Sequence, residues 1–113
     1  MPHTLPACPV ETTLALIGDR WKTLIVRDLL TGKKRFGELK KSLTGISQKV
    51  LTQHLRIMEA SQLVKRKVYA EVPPRVEYSL TELGQSLKPI HDAMWHWGKK
   101  YKAKLISLNK KAR

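Results

Sequence analysis

The apolar residues of this chain change their spacing twice, and those changes limit its fold more than any other feature. Through Ala60 they recur three and four apart, as on amphipathic helices; between Val64 and Leu80 they alternate; from Leu83 the helical spacing returns. A chain written this way folds as helices around one short β-hairpin. The expected class is mainly α with a small β-hairpin, in a single domain over residues 1–113 with its core within about 8–80.

The helical part divides at its caps. Cys8 precedes Pro9, a residue preorganised for the first helical position, and Glu11 can reach back to the cap. That helix carries Leu14, Leu16 and Ile17 and stops at Gly18. Asp19 caps a second helix, in which Trp21, Leu24, Ile25, Leu29 and Leu30 form the apolar stripe before Gly32. Lys33-Lys34-Arg35 then reads as a solvated turn, one that could also touch a phosphate. Phe36, Leu39 and Leu43 mark a short third helix, broken at Thr44-Gly45.

The fourth helix is the best specified. Ser47 is a good N-cap, and Ile46 before it can staple to Leu51, so the helix starts at about Gln48. At about 100° per residue, Val50, Leu51, Leu55, Ile57 and Met58 fall on one side. Gln48, Lys49, Thr52, Gln53, Arg56 and Glu59 fall on the other. That polar side suits nucleic acid, since Gln can pair with adenine, Arg or Lys with guanine, and the Thr methyl with that of thymine. An ordinary solvated face has the same composition. The neighbouring elements favour the first reading: a short helix, a Gly-containing turn and a second capped helix with a polar face is the sequence form of a helix-turn-helix.

Two alternating runs follow, with Val64, Arg66 and Val68 opposed to Lys65, Lys67 and Tyr69, then Val76, Tyr78 and Leu80 opposed to Arg75, Glu77 and Ser79. They read as a hairpin whose loop, near Ala70-Glu71-Val72-Pro73-Pro74, is stiffened by its prolines. Basic residues flank it, as a DNA-binding wing requires for phosphate contact. Thr81 caps a last helix over about 82–108, roughly 40 Å long, with a kink expected at Pro89 and fraying over Lys110-Lys111-Ala112-Arg113. Leu83, Leu87, Ile90, Met94, Trp97, Tyr101 and Leu105 form a heptad-like seam on it. The seam is longer than one domain can cover, which implies a homodimer.

The net charge of +13 is spread along the chain, with 10 basic and 4 acidic residues in 1–56 and 12 and 5 in 57–113. Such a balance points to nucleic acid before membrane. There is no apolar run of membrane-spanning length and no signal-peptide pattern, so a cytoplasmic protein is expected. The lone Cys8 permits neither an internal disulfide nor a Cys-only zinc site. An enzyme is disfavoured, because there is no Gly-rich phosphate loop, no metal spacing, and His91 and His96 stand five apart on mismatched helix faces. No cofactor or metal is expected; a metal sensor pairing Cys8 with His3 or His91 would need two chains. The alternative partner is RNA, which the charge suits equally, although the aromatics sit at helical positions rather than on an exposed sheet.

Taken together, Cys8-Pro9-Val10-Glu11, Gly18-Asp19-Arg20-Trp21-Lys22, Arg35-Phe36-Gly37-Glu38-Leu39, Ile46-Ser47-Gln48-Lys49-Val50-Leu51-Thr52 and Tyr78-Ser79-Leu80-Thr81-Glu82-Leu83-Gly84 resemble the HxlR-type winged helix-turn-helix regulators, relatives of the MarR group. The likeness spans about residues 8–101. It implies a bacterial or archaeal homodimeric transcription factor, expected to act as a repressor. Terminal helices would make the dimer through Leu83, Leu87, Ile90, Met94, Trp97 and Tyr101. A pseudo-palindromic operator in double-stranded DNA would be read by the helix near 47–60 and a wing near 64–80. Carried onto this sequence, Ser47, Gln48, Lys49, Thr52, Gln53 and Arg56 are the groove contacts, and Lys65, Lys67 and Arg75 the phosphate contacts. Some members sense oxidants or electrophiles through a cysteine near the position of Cys8. A thiol at the positive end of a helix dipole is compatible with that chemistry, and equally with a small packing residue. With one cysteine per chain, sensing would need an intersubunit Cys8–Cys8 bond, a mixed disulfide or an adduct. A small-molecule effector also fits the resemblance.

Overall fold

The computed structural model describes residues 5–112, so His3 lies outside it. Six helices and three strands follow in the order α1 (Pro9–Ile17), α2 (Arg20–Leu29), β1 (Lys34–Arg35), α3 (Phe36–Ser42), α4 (Gln48–Ala60), β2 (Val64–Tyr69), β3 (Arg75–Leu80), α5 (Glu82–Gln85) and α6 (Lys88–Ala112). The helices begin where the capping residues dictate. Asp19 accepts from the Lys22 amide at 2.9 Å, Ser47 from Val50 at 3.1 Å and Thr81 from Gly84 at 3.0 Å. Cys8 holds the N-cap position of α1 without a side-chain hydrogen bond. Each of the other three accepts one of the amide donors that a helix start leaves unpaired.

The core is one apolar cluster. Ile25, Val26 and Leu29 of α2, Leu39 of α3 and Leu51, Leu55 and Met58 of α4 meet Leu63, Val64 and Leu80 around the sheet, and Ile17, Leu43 and Ile46 complete the cluster. Ile57, expected inside, is 41% exposed. It lies about 100° around the helix from the Leu51–Leu55–Met58 row and misses the core.

The chain leaves α4 by a Schellman turn: Leu63 N–H donates to Met58 and Gln62 N–H to Glu59, both at 3.0 Å, with Gln62 at φ +64°. The β2–β3 hairpin is antiparallel, Val64 opposite Leu80 and Tyr69 opposite Arg75. A third strand, absent from the sequence reading, completes the sheet in the order β1-β3-β2. The expected solvated turn at Lys34–Arg35 instead pairs its backbone with Tyr78 and Glu77. Side-chain pattern carries no sign of such a two-residue pairing, because it is made by main-chain groups alone and with residues more than 40 positions away.

The last helix divides, as the proline suggested, but earlier than expected. α5 ends at Gln85, and Pro89 sits within the first turn of α6, where its missing N–H goes unneeded. α6 continues to Ala112, beyond the expected end and through the Lys110–Lys111 pair expected to fray. The result is a mainly helical winged helix-turn-helix with a small three-stranded antiparallel sheet.

Candidate nucleic-acid interface

The α3–turn–α4 unit turns at Gly45, whose φ of +93° is readily available only to glycine. With Ser47 occupied as the cap, the first turn of α4 presents Gln48 and Lys49 outward, followed by Gln53 and Arg56, while Thr52 is half-buried. Gln48, Lys49, Thr52, Gln53, Arg56 and Ile57 line one shallow groove along the helix. Among the described residues, Lys49 and Arg56 form no ion pair. These cations are free for an external anion.

His54 belongs to the scaffold. Its Nδ1 lies 2.9 Å from the Val50 carbonyl oxygen, and its Nε2 lies 3.5 Å from Oδ1 of Asp19. α4 is thereby tied to the N-terminus of α2. Burial opposes the charge on Asp19, but the Lys22 amide together with the charges of His54 and Lys22 outweighs it and holds the carboxyl below the usual aspartate value.

The wing sorts its basic residues onto two faces, because side chains alternate along a strand. Lys65 and Lys67 share one face with Tyr69, Arg75 and Glu77. On that face Arg75 is engaged within the wing: its guanidinium stacks 4.0 Å from the Tyr69 ring centroid, and its Nε lies 3.3 Å from Glu71 and 3.9 Å from Glu77. Lys67 also lies over Tyr69, at 4.9 Å. Glu77 is held below the usual carboxylate range, chiefly by a hydrogen bond from Tyr69; desolvation opposes this, and Lys33 and Arg75 add to it. Lys65 is exposed and forms no ion pair among the described residues.

The opposite face of the hairpin turns toward α4. There Arg66, Val76 and Tyr78 close a cleft of about 420 Å³ with Phe36 and with Gln48, Thr52, Leu55, Arg56 and Glu59 of α4. Arg66 was not among the expected contacts. The sequence signal for it was a charge standing between two valines in the alternating row Val64-x-Arg66-x-Val68.

Away from this surface, α6 carries a row of apolar side chains that the protomer leaves open. Ile90, Met94, Trp97, Tyr101, Leu105 and Leu108 fall within about 80° of arc and are all exposed, Trp97 the most at 67%. Trp97 and Tyr101 stack with their centroids 5.2 Å apart. Of the two remaining seam residues, Leu83 is exposed on α5, whereas Leu87 packs against the protomer's own core. Val10 and Leu14 of α1 form a second open apolar row, and Cys8 is exposed beside it. Among the described residues no group of three or more His, Cys, Asp or Glu side chains is gathered to hold a metal ion, and no helix is long and apolar enough to cross a membrane.

Comparison with known proteins agrees with this geometry. Residues 16–105 match the HxlR-like helix-turn-helix profile. YdeP of Bacillus subtilis (strain 168), named as an HTH-type transcriptional regulator, is 48% identical over 101 residues, covering 89% of this chain and 79% of that protein. Among solved structures, the reduced form of the redox regulator HypR superposes with a TM-score of 0.83 at 46% identity, covering 88% of this chain and 99% of HypR. Diamide-treated YodB from B. subtilis superposes with a TM-score of 0.70 at 38% identity, covering 83% and 94%.

Proposed function

Because the chain belongs to the HxlR-like helix-turn-helix family of transcriptional regulators, we propose that it is a homodimeric repressor that reads a pseudo-palindromic operator in double-stranded DNA. The observation that carries this reading is the separation of two unpartnered surfaces. One is the polar face of α4 beside a basic wing, and the other is the aromatic seam of α6. In the proposed complex α4 enters the major groove, where Gln48, Lys49, Thr52 and Gln53 reach base edges and Ser47 and Arg56 meet the flanking backbone. Lys65 and Lys67 meet phosphates at the wing, while Arg75, held by Tyr69, Glu71 and Glu77, adds charge and stiffens the hairpin. Pairing through Ile90, Met94, Trp97 and Tyr101, with Leu83 at the margin, sets two α4 helices on successive turns of one DNA face. Repression then needs only occupancy of the operator, in the cytoplasm where bacterial DNA lies.

Likeness to a redox regulator and the exposure of Cys8 at the start of α1 support a second element, an oxidant or electrophile switch. Its product would be a Cys8–Cys8 bond between protomers, a mixed disulfide or an adduct. The test is operator release under diamide or quinone by the native protein and by Cys8→Ser; identical responses dismiss the switch. For the main reading, the test is competition between duplex DNA and duplex RNA. Preference for DNA with a two-to-two subunit-to-half-site stoichiometry is expected, and preference for RNA would overturn it.

A further inference from the structure

Resting on the duplex-DNA reading, we propose that the cleft between α4 and the wing is a phosphate seat in which Arg66 and Arg56 hold a backbone phosphate where it crosses between the two elements. Two guanidinium-bearing side chains, from different elements, line the same hollow with the polar groups of Gln48, Thr52 and Tyr78. Arg66 shares its face of the hairpin with Val64, Val68 and, across the pair, Tyr78. Neither arginine forms an ion pair among the described residues, in contrast to Arg75 on the opposite face. Gathering two like charges in one concavity costs free energy that a bound anion relieves. The forked, planar guanidinium matches phosphate oxygens in pairs, as an ammonium does not.

The position of the cleft identifies which anion. With α4 in a major groove and the wing over the neighbouring minor groove, the strand that separates those grooves passes between them. The row Gln48, Thr52, Arg56 therefore has two duties, its outer edge toward bases and its wing-side edge toward the strand. Glu59, the one carboxylate lining the cleft, repels the same phosphate and limits the affinity of the seat.

The experiment is fluorescence anisotropy of a labelled random-sequence DNA duplex and of a duplex selected for tight binding, titrated with native protein, Arg66→Gln and Glu59→Gln. Both replaced side chains are exposed, and unchanged thermal unfolding checks the fold. Arg66→Gln is expected to weaken both duplexes by the same factor and, because the dimer carries two seats, to lower the salt slope by about 1.8, so that the change in Kd between about 50 and about 200 mM salt shrinks roughly 12-fold. Glu59→Gln is expected to tighten both. Native affinity and slope in Arg66→Gln, or a loss confined to the selected duplex, overturns the phosphate seat while leaving the DNA reading intact. Failure of the native protein to bind either duplex overturns both.

Discussion

Gly84 is the position at which one methyl group should do most harm. It is buried in α5, and a Cβ built on it would lie 2.2 Å from the Leu63 carbonyl oxygen and 3.0 Å from Cδ2 of Leu80. The first contact is about 1.2 Å short of ordinary separation, and its partner is main chain, so α5 as a whole must move. That movement strains the seam on which the wing and α6 are hung: Thr81 N–H donates to the Leu63 carbonyl at 3.0 Å, and its hydroxyl to the Gln62 carbonyl at 2.6 Å. Overpacking costs about 1–3 kcal/mol, and each weakened hydrogen bond about 1 kcal/mol. Alanine's advantage over glycine in a helix returns at most about 1 kcal/mol, so the clash wins. Gly84→Ala should lose about 3 kcal/mol. Measured by urea unfolding at fixed protein concentration, that is a midpoint lower by roughly 1–2 M for a slope of about 2 kcal/mol/M. A midpoint equal to or above that of the native protein would refute the packing argument.

Gln48→Ala and Thr52→Ala should each cost about 1–3 kcal/mol on a selected operator and far less on random DNA, read by competition anisotropy; equal losses on both would remove their base-reading role. Trp97→Asp should leave the monomer folded, since the side chain is exposed, but shift dimer dissociation by two orders of magnitude or so in sedimentation equilibrium. An unchanged dimer would exclude the α6 seam as the interface. Asp19 has a depressed folded-state value, so the stability it confers is present above the ordinary aspartate range and is lost as pH falls through the lower folded value. The melting temperature should therefore drop on acidification below about pH 4, and drop less in Asp19→Asn; parallel curves would argue against the Asp19 contribution.

How much of this was legible in advance follows the distinction between side-chain pattern and main-chain contact. The caps Asp19, Ser47 and Thr81, the α3–α4 turn and the β2–β3 hairpin were readable because each depends on local chemistry or on a period. β1 was not, being two residues of backbone pairing inside a basic run. Ile57 was assigned inward because half a helical wheel was taken as core, whereas the buried arc is the narrower one through Leu51, Leu55 and Met58. Of the expected seam, Ile90, Met94, Trp97 and Tyr101 share one open row, while Leu87 was claimed by the core at the break between α5 and α6. In the candidate interface the α4 residues were legible from the wheel. The wing was harder, since charge counts Lys65, Lys67, Arg66 and Arg75 alike, and only the fold shows Arg75 tied down by Tyr69 and two carboxylates while Arg66 faces α4.

The central claim is that two copies of α4 and its wing, fixed by the α6 seam, read one symmetric site. Hydroxyl-radical footprinting on duplexes enriched by the protein from a random pool measures it directly. The expected result is two equivalent protections on inverted half-sites, their centres about one helical turn apart or a multiple of it. A single unpaired protection, or enrichment of sites with no two-fold relation, would contradict it.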